Sequence, residues 1–423
     1  MKISVVGGGY VGLVSSVCFA ELGHTVNLIE IDADKAESIN SAKSPIYEIG
    51  LEDLLLVHAR RNLHACDNYD GIQDSDISFI CVGTPQGDDG CADLSMIASA
   101  SRSIGSALGD HDRYHVVVVK STVPPGTTES LVIPSILKHS GKKSESIGFA
   151  MSPEFLREGT AVKDFMNPDR IVIGSRDNGA GDLIEAVYKG LDAPVIRTSI
   201  VSAEMIKYAS NSFLAAKISF SNEMGNICKK MGIDVYDVMK GVGMDYRISP
   251  HFLNAGAGFG GSCFSKDVTA LIHLAENLGE DPVLLRSVME INDRQPLRII
   301  KLLEARIGDL QARKIAVLGL AFKNNTDDVR ESRAISVISE LKSRGAVVVA
   351  YDPRANSSMQ RLLPDIEYCR SAAEALTSAD ACLVMTEWPE FRELDREFEL
   401  MKSRVIIEGR RILSCRDVEG ICW

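Results

Sequence analysis

At 423 residues the chain is too long for one hydrophobic core, and its 45% hydrophobic and 25% charged residues match folded domains, which excludes a disordered or fibrous protein. A formal net charge of −12 argues against general affinity for nucleic acid or anionic lipid, leaving room only for local basic sites that hold a phosphorylated ligand. The ten cysteines form no CxxC pair, so neither a metal site nor a disulfide framework is expected, and with no apolar run of ~20 residues to cross a membrane the expected location is cytoplasmic.

The chain opens on KISVVGGGYVG, a helical stretch to Leu22, then Gly23 and HTVNLIEID. The opening is apolar enough to imitate a signal peptide, but glycines at 7, 9 and 12 after a strand and before a helix read as a βαβ unit. In such a unit GxGxxG lets the backbone approach a pyrophosphate at a helix N-terminus, and Glu30, about 20 residues on, accepts adenine-ribose hydroxyls and repels a 2′-phosphate. NAD is therefore expected over NADP. Two further apolar strands, in DISFICVGTP and HVVVVKSTVPPGT, end in small and hydroxyl residues at the sheet edge where ligands bind. Thr122 is the polar contact expected there, with a plain turn before Pro124–Pro125 as the alternative.

From about Ile200 to Gly232 the sequence has no proline and carries apolar residues at helical spacing, which predicts one long helix. Shorter helices are expected near Val235–Lys240, Val268–Asn277 and Val283–Glu304. A second strand–turn–helix–strand pattern follows: KIAVLGLAF, a helix near Ser332–Arg344, then Gly345 and AVVVAYDP. Its turn, GLAFKNN, lacks the second and third fingerprint glycines, so this half is not expected to bind NAD. The fold class is α/β: two Rossmann-like doubly wound domains, residues 1–198 and 306–423, joined by a long central helix and a helical connector, residues 199–305.

Three constellations carry chemistry. In GFGGSCFSKD, Cys263 follows a glycine-rich loop and precedes a helix that Ser265 is expected to cap and Gly279 to end; a helix start and Lys266 both favour a thiolate. Lys207 and Asn211 lie four apart on the long helix, projecting from an apolar stripe, either as functional groups or as a snorkelling lysine beside an amide. Glu154 and Glu158 follow Ser152–Pro153, which read as a helix cap and first helical residue, making them either acid–base groups or dipole partners in a first turn.

The segments GGGYVG, STVPPGTT, SPEFLREGTA, KYASNSFLA, FLNAGAGFGGSCFSKD, GLAFKNNTDDVRES and EGRRIL, in that order, resemble the UDP-glucose/GDP-mannose dehydrogenase family over nearly the whole chain. The resemblance implies an NAD-dependent four-electron oxidation of a primary alcohol to a carboxylate, with Cys263 as nucleophile. It implies that Lys207 and Asn211 stabilise oxyanions, that Asp267 positions a water, that Glu154 serves proton transfer or thioester hydrolysis, and that Thr122 belongs to the catalytic set. For the cofactor it implies Gly7, Gly9, Tyr10, Val11, Gly12, Glu30, Lys35, Thr84, Thr122, Glu158, Lys266 and Arg330. For the sugar nucleotide it implies Phe155, Leu156, Glu158, Lys207, Asn211, Phe252, Asn254, Gly260, Lys323 and Arg410, and also Arg247, which reaches a neighbouring subunit's site. A homodimer or larger assembly is thus expected.

UDP-glucose is the expected substrate, because FLNAGAGFGGSCF resembles that branch's sugar loop; GDP-mannose is the runner-up and UDP-N-acetylmannosamine ranks lower. Two positions depart from the family's habit: Ser265 where proline is common and Glu30 where aspartate is common. Two other classes compete. A two-electron hydroxyacid dehydrogenase needs neither Cys263 nor a second nucleotide domain, and an NAD-sensing binding protein would not need the set Lys207, Asn211, Cys263 and Asp267.

Overall fold

Strand β5 (His115–Val119, HVVVV) is buried at every position, as expected of a strand covered on both faces. Its side chains alternate: Val116 and Val118 join one apolar cluster with the helix Tyr10–Glu21, while Val117 and Val119 join another with the helices Ser95–Ala107 and Ile133–Ser140. That period of two, with helices on both sides, makes the three-layer sandwich of a doubly wound domain.

The computed structural model describes residues 1–87, 90–414 and 417–423, and the chain divides into two units, Met1–Ser210 and Asn211–Trp423. In the first, β1 (Lys2–Val6), β2 (Thr25–Ile29), β3 (Leu63–Cys66), β4 (Ile77–Ile80), β5, β6 (Ile147–Met151), β7 (Ile171–Ser175) and β8 (Val195–Thr198) form one sheet in the order β3-β2-β1-β4-β5-β6-β7-β8. All neighbours are parallel except β6 and β7. In the second unit β9 (Lys314–Leu318), β10 (Val347–Tyr351), β11 (Glu367–Tyr368), β12 (Ala381–Val384), β13 (Ile406–Glu408) and β14 (Val418–Gly420) form a parallel sheet in the order β11-β10-β9-β12-β13-β14. In each sheet the order reverses beside the first strand, β1 or β9, and this crevice is where such folds take ligands.

The long helix spans Ile200–Met231, within a residue of the expected end, and runs from the first unit into the second. The expected helix near Val283–Glu304 is two helices, Val283–Arg294 and Leu297–Ile307, because Pro296 removes a donor and interrupts the ladder. Two local readings are corrected. Ser152–Pro153 does not open a helix: β6 ends at Met151, and the chain runs as an irregular strap until the helix Ala161–Met166. Nor does Ser265 cap the helix Phe264–Asn277; Cys263 occupies the N-cap position, and Ser265 is buried as the second helical residue with an unpaired hydroxyl. Gly279 does follow that helix's end, at φ +82°. None of the described helices is long and apolar enough to cross a membrane.

Candidate functional site

The first glycine turn has its shape for steric reasons. Gly7 sits at φ +104°, and a Cβ there would lie 2.8 Å from the Cys81 carbonyl oxygen; a Cβ on Gly12 would lie 1.8 Å from the Gly7 oxygen. Gly9, the residue before the helix Tyr10–Glu21, faces open space, so its backbone is free to meet a phosphate at a helix N-terminus. At the end of β2, Glu30 takes the Gly8 N–H (3.0 Å) on one carboxylate oxygen and the Asp32 N–H (3.0 Å) on the other. Each oxygen keeps a lone pair for a ribose hydroxyl, so the cradle fits a dinucleotide. Lys35 is on the next helix, Ala33–Asn40, its ammonium 3.8 Å from Asp32.

The ends of β4, β5 and β6 lie side by side and carry the next groups. The Thr84 hydroxyl donates to the Thr122 carbonyl (2.8 Å), joining the two loops after β4 and β5. After β6 the strap 152–160 brings Glu154 against the long helix, where Lys207 Nζ lies 3.0 Å from Glu154 Oε1 and the Leu156 N–H donates to Oε2. Both side chains of that ion pair are buried, at 5% and 8% exposure. Phe155 is stacked by Arg170 at 3.9 Å and faces Lys207 at 5.3 Å. Leu156 packs on the core under the strap, and Glu158 is half-buried there. A buried carboxylate holds the strap's far end: Glu48 accepts the Gly159 N–H (2.6 Å), the Ala161 N–H (2.8 Å) and the Tyr10 hydroxyl. Val11 packs against the same core.

In the second unit Cys263 is exposed at the start of the helix Phe264–Asn277. One turn on, Asp267 is buried and receives the Asn211 amide (2.6 Å) on one oxygen and the Lys266 ammonium (2.6 Å) on the other. The loop before the cysteine is threaded past fixed backbone: a Cβ on Gly260 would lie 2.3 Å from the Glu331 carbonyl, and Gly258 needs φ +101°. Asn292 clasps this loop, accepting the Phe259 N–H (2.7 Å) and donating to the Phe259 carbonyl (3.1 Å). Asn222 accepts the Gly256 N–H and Gln295 donates to the Gly256 carbonyl. Arg410 donates to the Gly258 carbonyl. Upstream, Phe252 sits at φ +61°, its ring 6.4 Å from that of Phe264, and Asn254 is exposed.

The second Rossmann turn is built differently. Asp352, at the end of β10, accepts the N–H groups of Leu320, Ala321, Arg354 and Ala355 and the indole N–H of Trp388. Lys323 and Arg330 follow that turn; Lys323 lies over the Phe322 ring at 5.8 Å, and Arg330 pairs with Asp328. Arg247 pairs with Asp245 on the surface.

Several working residues escaped the sequence: Glu48, Asn222, Asn292 and Gln295. The signal for the last two was present in INDRQP, two amides three apart at the end of an amphipathic helix and just before a proline.

A cradle for a dinucleotide in one Rossmann unit, with an exposed helix-start thiol in a chain carrying a second, altered Rossmann turn, defines a nucleotide-dependent oxidoreductase. Residues 1–192 match the NAD binding domain of the UDP-glucose/GDP-mannose dehydrogenase family, residues 201–294 its central domain and residues 316–415 its UDP binding domain. The UDP-glucose 6-dehydrogenase AglM of Haloferax volcanii is 47% identical, covering 99% of this chain and 98% of that protein. TuaD of Bacillus subtilis, also a UDP-glucose 6-dehydrogenase, is 44% identical over 99% of this chain and 91% of its own. The solved structure of a UDP-glucose dehydrogenase from Pyrobaculum islandicum superposes with a TM-score of 0.95 at 42% identity, covering 100% of this chain and 98% of that one. The chain belongs to the UDP-glucose/GDP-mannose dehydrogenase family, and its cofactor is NAD.

Proposed function

We propose that this chain oxidises UDP-glucose to UDP-glucuronate in two hydride transfers, with Cys263 as the covalent carrier between them. NAD supplies the hydride acceptor in both. The observation that carries this reading is the exposed Cys263 thiol beginning a helix whose first turn holds a buried Asp267, itself fixed by Asn211 and Lys266.

After the first oxidation an aldehyde carbon is trigonal and has no hydride to release from a tetrahedral centre. Addition of the Cys263 thiolate, with a proton taken up by the carbonyl oxygen, gives a thiohemiacetal from which the second hydride departs, leaving a thioester. Water then attacks the thioester carbon, the C–S bond breaks, and the thiol is regenerated with release of the carboxylate. In this scheme Lys207 and Asn211 donate to the oxyanions that form, while Asp267 and Glu154 hold or accept protons of the attacking water. Thr122 lies in the loop after β5 and contacts the reacting group, and the second unit's Lys323 and Arg410 supply cations for the diphosphate.

A homodimer is part of the proposal. Phe213, Phe220 and Ile227 repeat every seven residues on the long helix and are 68%, 48% and 49% exposed, a seam suited to the same seam of a second copy. Arg247 is proposed to act across that assembly. The test is a substrate panel of UDP-glucose, GDP-mannose and UDP-N-acetylmannosamine with NADH counted per product. Two NADH per UDP-glucose, and loss of turnover in Cys263→Ala, are expected; one NADH per sugar, or unchanged turnover in that variant, overturns the reading.

A further inference from the structure

Beside Glu154 lies a cleft whose wall includes groups that the proposed chemistry does not use. It is lined by Lys120, Ser152, Glu154, Phe165, Arg170 and Tyr188. Lys120 is the residue after β5, and only 3% of it is exposed. Strand order explains its position: β4, β5 and β6 are neighbours, so Cys81, Lys120 and the Ser152–Glu154 segment leave the sheet side by side at one edge.

Lys120 has an uncommon environment for a buried ammonium. Among the described residues none forms an ion pair with it. Its Nζ donates to the Tyr188 hydroxyl (3.1 Å) and lies 5.8 Å from the Phe165 ring centre and 5.6 Å from that of Tyr188. The Tyr188 hydroxyl in turn lies 3.5 Å from the Ser152 hydroxyl, two residues before Glu154. Burial opposes the charge of Lys120, but Tyr188, Cys81 and Glu154 outweigh it, and the ammonium is held above the ordinary lysine value. A lysine left charged in such a place costs folding free energy, and a leucine or methionine would fill the volume without that cost.

We propose that Lys120 is a positioning residue for the hydrolytic half of the reaction, a fixed counter-charge to Glu154 that stays in place when Lys207 turns to the substrate's oxyanion. This rests on the cysteine-carrier reading above. Lys207 cannot serve both partners fully: each hydrogen bond it gives to the tetrahedral oxygen weakens its hold on Glu154. Lys120, walled in by two aromatic rings and tied to Tyr188, does not move with it. Two buried ammonium groups against one carboxylate also leave a surplus positive charge, the sign an oxyanion needs. In the step itself water adds to the thioester carbon, its proton passes to the Glu154 carboxylate, and the collapsing tetrahedral oxyanion expels the Cys263 thiolate. Around Glu154 are Lys207 from the long helix, Lys120 from the end of β5 and Cys81 from the end of β4, while Tyr188, after the helix Asn178–Val187, lines the same cleft and contacts Lys120.

The test uses the full-length enzyme with whichever sugar nucleotide of the panel it turns over. Lys120→Met should lower kcat about tenfold to a hundredfold, the scale of a weakened general base, with KM for the sugar nucleotide changed less than about threefold. Rapid mixing should show a burst of two NADH per site followed by a slow phase, and mass spectrometry of the quenched enzyme should find the acyl adduct on Cys263. In a Glu154→Gln background the same substitution should add no further loss. Equal losses in both backgrounds, a raised KM with unchanged kcat, or a slow phase without adduct overturns the proposal. Should Lys120→Met fail to fold, the same cycle run with Tyr188→Phe, which frees the ammonium but keeps its charge, decides on the same criteria. A wild-type enzyme releasing one NADH per sugar would instead overturn the cysteine-carrier reading, so the two failures are separable.

Discussion

Replacing Lys207 with methionine is expected to destabilise the first unit severely, for a reason unrelated to catalysis. Lys207 and Glu154 are an ion pair at 3.0 Å with side chains only 5% and 8% exposed. Removing the lysine takes away the direct ion pair of a carboxylate that water barely reaches; among the described residues the Leu156 N–H still donates to it, and Lys120 remains only as a counter-charge without a direct ion pair. Breaking one side of such a pair costs about 3–5 kcal/mol. For a unit of this size, Met1–Ser210, about 2–4 °C of melting temperature is lost per kcal/mol, so the midpoint should fall by roughly 6–20 °C. The double variant Lys207→Met/Glu154→Gln removes both charges and should recover most of that loss while remaining inactive. Differential scanning calorimetry with NAD absent reads the midpoints. A single variant melting within about 2 °C of wild type, or a double variant as unstable as the single, would refute the stranded-charge argument.

Asn292→Ala removes both partners of the Phe259 peptide in the loop before Cys263; at about 1–3 kcal/mol for each buried group left unpaired, it should lower stability and change the rate at which an alkylating reagent modifies Cys263, measured by mass spectrometry. His115 is fully buried between the Ser75 carbonyl and the Ser78 hydroxyl, and burial lowers its pKa to about 4. Its neutral form therefore stabilises the fold fully above the unfolded value of about 6.5, and that contribution, roughly 3 kcal/mol, is lost as pH falls from 6.5 toward 4. His115→Gln should flatten the melting-temperature profile across that window, and an unchanged slope would remove His115 as the cause. Phe220→Lys on the exposed seam should shift the assembly toward monomer in light scattering without lowering the melting temperature of the monomer; an unchanged mass would move the interface elsewhere.

The features legible in the sequence are those set by local chemistry. The GxGxxG turn, the long helix to within a residue of Met231, and the helix expected near Ser332–Arg344 and found at Arg333–Ser343 all depend on residues close in the chain. The strap after β6 shows where that logic stops. Ser-Pro followed by acidic residues is a helix-start signature, yet here the donors of Arg157, Gly159 and Ala161 are taken by Asp164 and Glu48, so no helix is needed to satisfy them. Glu48 lies more than a hundred residues upstream, and no local pattern shows it. Ser265 failed for a related reason: the glycine loop, clasped by Asn222, Asn292 and Gln295, sets the N-cap two residues before the serine. Cys263 thereby takes the N-cap position.

Asp352 has a consequence for anyone wishing to redesign this chain. Its counterpart, Glu30, spends two contacts on its own backbone and keeps room for a ribose; Asp352 spends five, one of them on the Trp388 indole. The acidic end of the second turn is thus a sealed joint, where that of the first is an open socket. Restoring glycines at Ala321 and Asn324 would not make a second NAD site, because the carboxylate that should greet the ribose is already employed as mortar. A redesign would have to begin at Trp388, whose indole closes the second turn to a ribose as much as any missing glycine does.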